Sequence, residues 1–233
     1  MAQTEFILDQ ISFQADVPLL AEKLRLRPGS SYEERFNALV AEAEAIARPK
    51  AFYKMLPIAA KGDDHVVIDG ITLTSRVLRI NLEQANRVFL FVATGGIELD
   101  AWVKSIDDML YNFYADAIAE LALRVAIEAM NRDIEERFRP GHTSNMHPGS
   151  LADWPIKQQK AVFDLLGEPA AAIGITLLDS MLMTPTKSVS GIQFPTEETF
   201  QSCQLCPMEN CPNRRAPYDE SLYERKYCPA PAG

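Results

Sequence analysis

From Ser105 to Glu136 the chain runs 32 residues without a proline or glycine. Ile106, Met109, Leu110, Phe113, Ala117, Leu121 and Val125 recur along it at steps of three or four. That spacing puts them on one face and predicts a long helix over 105–136. Ile118, Leu123 and Ile127 widen the stripe, so the helix should be packed on more than one side. Charge takes over from Asn131, through Arg132, Asp133, Glu135, Glu136, Arg137 and Arg139, and Pro140-Gly141 closes the element.

What lies before it reads as mixed structure. Asp16 and Pro18 open a short helical stretch that Pro28-Gly29 ends. Ser31 and Glu34 have the spacing of a capping box for a helix carrying Phe36, Leu39, Val40, Ala43 and Ile46, stopped at Arg48-Pro49. β-branched runs at His65–Ile68, Leu73–Ile80 and Val88–Ala93 predict strands, with turns at Gly62-Asp63 and Asp69-Gly70. Beyond the long helix, 140–155 is a loop by composition. Pro155 then starts a helix ending at Gly167, and Ile173–Leu178 and Val189–Phe194 read as short strands. The expected fold is α+β: a curved, mainly antiparallel sheet packed with long helices, followed by an irregular Cys-rich tail. The expected units are a core domain over 1–195 and a metal-binding tail over 196–233.

With 23 Lys and Arg against 32 Asp and Glu, the net charge of -9 argues against a nucleic-acid binder. No run is long and apolar enough for a membrane span. The opening residues, MAQTEFILDQISFQAD, lack the basic start of a secretory signal, so a cytoplasmic protein is expected. There is no P-loop, no spaced-glycine dinucleotide turn and no nucleophile elbow. Gly95-Gly96 reads either as a plain turn or as a close approach of backbone to ligand. Arg137, just before Pro140-Gly141, reads either as a carboxylate-binding guanidinium or as a cation complementing a helix end. The stretch 178–191 sets small hydroxyls and methionines around Pro185, as a ligand rim would.

All four cysteines lie beyond residue 200, as Cys203-x2-Cys206-x4-Cys211-x16-Cys228. Cys-x2-Cys brings two thiolates to one ion, and the Cys-Pro steps at Cys206, Cys211 and Cys228 resemble the end of a ferredoxin motif. Zinc and a [4Fe-4S] cluster are the candidates, with free or paired thiols as the remaining reading.

Three segments taken together resemble the activation, S-adenosylmethionine-binding domain of cobalamin-dependent methionine synthase. They are Phe91–Asp100, Arg137-x-x-x-Gly141-His142, and Gly174–Ser180 with Ser188-Val-Ser-Gly-Ile-Gln-Phe194. The resemblance covers roughly 60–195, with His142 where that family has tyrosine. It implies that Arg137 binds the methionine carboxylate, that Pro140, Gly141 and His142 give turn contacts, and that Gln193 and Phe194 line the ligand. It also implies a reductive reactivation factor for a cobalamin-dependent methyltransferase, with S-adenosylmethionine as methyl donor. The stretch Asp63-Asp-His65-Val-Val-Ile68 lacks the glycine of a lower-ligand motif, so cobalamin is expected on a partner protein and the chain is expected to act in trans. The competing expectations are an iron–sulfur electron-transfer protein reducing a corrinoid partner and a zinc-stabilised, non-catalytic interaction module.

Overall fold

The computed structural model describes residues 4–27, 29–211 and 214–228. Pro28, Pro212 and Pro229, used above as a helix stop and in two Cys-Pro steps, lie outside the described residues, as do residues 1–3 at the start of the chain. The main sheet has seven strands, all paired antiparallel: β1 (Glu5–Leu8), β2 (Lys50–Lys61), β3 (His65–Ile68), β4 (Ile71–Thr74), β5 (Arg87–Thr94), β6 (Thr143–Met146) and β9 (Ser188–Pro195). Its order is β4-β3-β2-β5-β9-β6, with β1 also on β2. A small hairpin joins β7 (Thr176–Leu177) to β8 (Met183–Thr184). The helices are α1 (Val17–Lys23), α2 (Ser31–Ile46), α3 (Arg76–Asn81), α4 (Ile97–Lys104), α5 (Met109–Phe138), α6 (Gln159–Leu166) and α7 (Pro169–Ala172). The α+β expectation holds. No helix among the described residues is long and apolar enough to cross a membrane.

Local chemistry explains most of the boundaries. The Asp16 carboxylate accepts from Leu19 N at 3.0 Å and starts α1. Ser30, not Ser31, is the cap of α2. The long helix begins at Met109 instead of Ser105, because Asp108 accepts from Leu110 N and Tyr111 N. Asn112 braces that corner by donating to Val103 O at 2.7 Å. The strand expected over Leu73–Ile80 stops at Thr74, because Ser75 Oγ accepts from Leu78 N and turns the chain into α3. Asp153 Oδ2 accepts from Val77 N at 2.9 Å and ties the loop before α6 to that helix start. The polar segment expected as a loop over 140–155 contains β6, whose Ser144 and Met146 are buried. The expected strand over Ile173–Leu178 is reduced to Thr176–Leu177.

The sheet has two covered faces. Ala126, Met130 and Ile134 of α5 pack on Tyr53, Phe89 and Phe91. Ala115, Ala119, Ala122 and Ala126 are fully buried, so the helix can approach closely. The opposite face carries Phe52, Leu90, Val92, Ile192 and Phe194, covered by Trp154 and by Val162, Leu165 and Leu166 of α6. Phe200 and Tyr227 of the tail join that second core, and Tyr227 Oη donates to Asn81 Oδ1 at 2.9 Å. Gly95-Gly96 is explained by backbone packing. A Cβ on Gly96, at φ +103°, would lie 2.7 Å from Arg48 O, and one on Gly95 would lie 3.0 Å from Ala119 O.

Candidate functional site

Gln193 on β9 stands opposite Asn145 on the edge strand β6. Its Nε2 donates to Thr143 Oγ1 at 2.9 Å. Gln193 Oε1 and Asn145 Oδ1 are both buried without a hydrogen-bond partner among the described residues. Leaving such an acceptor unmatched costs about 1–3 kcal/mol, so each calls for a donor from water or a ligand. Thr143, Asn145 and His147 occupy alternate positions and, with Cys203 and Arg215 from the tail, line a cavity of about 230 Å³.

His147 lies against β9 where that strand carries no side chain. A Cβ on Gly191 would be 2.6 Å from Met146 O and 2.7 Å from His147 Nδ1. The ring meets Phe91 edge-on at 5.7 Å. Nδ1 sits 2.9 Å from Ser190 O. A carbonyl only accepts, so Nδ1 carries the hydrogen and Nε2 of the neutral ring keeps its lone pair. Burial pushes the imidazole below its ordinary 6.5. The Arg215 charge pushes the same way, and the bond to Ser190 opposes them. An unfolded chain therefore takes up a proton near pH 6.5 at this side chain while the native chain does not. Stability should fall as pH drops from above 6.5 towards the lowered native value. Thermal melts from about pH 7.5 to about pH 5.5 should show this decline, and His147→Asn should flatten it; an equal slope in the variant would contradict the assignment.

The tail beside this cavity is held by one guanidinium. Arg214 donates to the carbonyls of Cys203, Cys206 and Ala216, each at 3.1 Å, and to that of Met208. The next residue differs: Arg215 has no acidic side chain within ion-pair distance among the described residues, and its N–H donates to Cys203 Sγ at 3.5 Å. The four cysteines expected as metal ligands are free thiols. Cys203 and Cys206 belong to the loop closed by Arg214, whereas Cys228 follows a π-helical turn, Tyr223–Tyr227, anchored in the core by Tyr227. Among the described residues no three His, Cys, Asp or Glu side chains are placed to share an ion.

Of the residues expected around the ligand, Arg137 is engaged with its own helix and with β1. Arg137 Nε donates to Asp133 Oδ2 at 2.7 Å, and its guanidinium lies 4.9 Å from the Phe6 ring centroid. Tyr53 Oη donates to the same Asp133 oxygen at 2.5 Å. Burial pushes the Asp133 carboxyl up, but the bonds from Arg137 and Tyr53 outweigh it and hold the group below the usual carboxylate range. Phe6 is on β1 and Asn145 on β6, with β2, β5 and β9 between them. At ~4.8 Å per strand spacing that is roughly 19 Å. Gly141, at φ +73°, and His142 are exposed on the turn into β6, and Pro140 is half-buried. Gln193 bonds to Thr143 of the cavity lining but is not itself in that lining, and Phe194, its neighbour on the strand, points to the opposite face and is fully buried in the core. Thr143, Asn145, His147 and Arg215 were not singled out as ligand residues in the sequence. The alternation Thr143, Asn145, His147 within the supposed loop was the available signal.

A second cavity, of about 400 Å³, meets the first at His147. Its rim is apolar, formed by Met181, Leu182 and Met183 with Ile156. Gln159 Nε2 and Ser190 Oγ, buried without partners, lie in its lining. An apolar cavity with a few converging polar atoms is the usual form of a small-molecule site.

No protein-family model matches the chain, and no curated protein matches it in sequence. Among solved structures it is similar to the MetH reactivation domain bound to AdoHcy, with a TM-score of 0.57 and 17% identity over 81% of this chain and 70% of that one. The chain thus has the fold of the MetH reactivation domain, carried on a largely different sequence.

Proposed function

We propose that the chain binds an S-adenosyl ligand at the β6 edge and reactivates a cobalamin-dependent, methionine synthase-like methyltransferase in trans. The observation that carries this reading is the fold shared with a reactivation domain that binds AdoHcy. The unmatched acceptor of Asn145 in a cavity lining supports it. In the proposed step the methyl group leaves S-adenosylmethionine with the C–S electron pair staying on sulfur. It passes to a corrinoid held by the partner protein and reduced from cob(II) to cob(I) by one electron from an external reductant. The products are AdoHcy and a methylated corrinoid. The contribution of this chain is to bind and orient the sulfonium. The exposed Leu182 and the Met181–Met183 rim offer an apolar surface next to the site, suited to the face of a corrin ring.

The test adds the full chain to methionine synthase lacking its own reactivation domain and held as cob(II), with titanium(III) citrate and methyl-labelled S-adenosylmethionine. The expected result is label transfer to the corrinoid that depends on this chain. Equal transfer with and without the chain would overturn the proposal.

A further inference from the structure

We propose that Arg215, brought to the cavity by the tail, is the residue that binds the α-carboxylate of the ligand, while Asn145 receives its ammonium group. This assignment rests on the S-adenosyl reading above and names which end of the ligand the β6 cavity takes. Size is the first argument. About 230 Å³ falls below the ~300–1,000 Å³ of a site that encloses a whole drug-sized molecule. It is room for a head group, with the nucleoside lying outside it.

Charge is the second. Arg215 lines the cavity and has no acidic partner among the described residues, whereas Arg214 is fully engaged with backbone carbonyls. A guanidinium binds a carboxylate through two parallel N–H donors, which a single surface charge does not do. The same lining also carries acceptors. Asn145 Oδ1 is buried without a partner among the described residues. The neutral ring of His147 adds a second lone pair and no positive charge to repel an ammonium. A cation and acceptors in one lining describe the complement of an α-amino acid head group. Arg137 does not compete for the role, because it is ion-paired to Asp133 and stacked on Phe6 across the sheet.

Calorimetric titration of the full chain with AdoHcy and with 5′-methylthioadenosine, the same nucleoside thioether without the amino acid, tests this. Wild type should bind AdoHcy more tightly. Arg215→Ala should weaken AdoHcy by about tenfold or more, the scale of one charge-assisted hydrogen bond, and leave methylthioadenosine unchanged. Arg215→Lys should recover part of the loss, and Arg137→Ala should bind AdoHcy as wild type does. Unchanged AdoHcy binding by Arg215→Ala, an equal loss of both ligands, or a loss confined to Arg137→Ala would each overturn the assignment while leaving the S-adenosyl reading standing. Failure of wild type to bind either ligand would overturn both.

Discussion

Replacing Trp154 with alanine is expected to lower the stability of the chain by about 3–5 kcal/mol, the range for emptying a buried indole site. Trp154 is fully buried between the sheet and α6. Its Nε1 donates to Gln158 Oε1 at 3.2 Å, and its backbone closes the 149–154 turn through Gly149 N and Leu151 O. Its neighbour Asp153 caps α3. One side chain therefore anchors the segment that leads from His147 to α6. At about 2–4 °C per kcal/mol for a chain of this size, the melting temperature should fall by about 6–20 °C. Trp154→Phe, which keeps much of the volume, should fall less. Denaturant unfolding followed by far-ultraviolet circular dichroism measures both. A loss below about 1 kcal/mol for the alanine variant would show that this wall of the core is not as closely packed as described.

The second large effect is expected at Gly191. An added methyl would lie 2.6 Å from the carbonyl oxygen of Met146 and 2.7 Å from His147 Nδ1. Met146 O is backbone on the neighbouring strand, so β6 must move away from β9 or the His147 ring must leave Ser190 O. Either change costs about 1–3 kcal/mol as overpacking, and either opens the cavity whose wall these residues form. Gly191→Ala should thus lose stability and ligand binding together. Ala93→Gly, on the same sheet but away from the cavity, should cost stability without altering affinity. If Gly191→Ala keeps wild-type affinity for AdoHcy, the cavity at His147 is not the binding site.

The parts of the fold legible in the sequence were those with one clear cap or stop: the Asp16 start of α1 and the closure of α6 at Gly167 follow from capping chemistry. The length of α5 follows from its lack of proline and glycine, but its buried face does not follow from the expected stripe: Met109, Leu110 and Phe113 are exposed, and Ile118, Ala122, Ala126, Met130 and Ile134 are buried instead. The largest omission was β2. Ala51, Phe52 and Tyr53 are buried in succession because the strand is covered on both faces, which erases the alternation that marks a half-buried strand. β6 was hidden for the opposite reason. Thr, Ser and Asn resemble a loop, yet their polar groups serve the core and the cavity once the segment pairs with β9. The candidate site was only partly legible. Gln193 was identified, but Phe194 belongs to the other face, because adjacent strand residues point apart. Arg137 was expected to bind a carboxylate and binds one from its own helix, Asp133. The cysteine spacing pointed to a metal, while the side chains that organise the tail are arginines and Tyr227, which the spacing does not report.

The central claim, that an S-adenosyl ligand sits at the β6 edge between Asn145, His147 and the tail, is tested most directly by a crystal structure of the full chain grown with saturating AdoHcy. The account predicts AdoHcy with its amino acid end in the cavity beside Asn145 and its carboxylate on Arg215. AdoHcy bound along the Arg137–Gly141 turn away from that cavity, or no bound ligand at saturation, would contradict it.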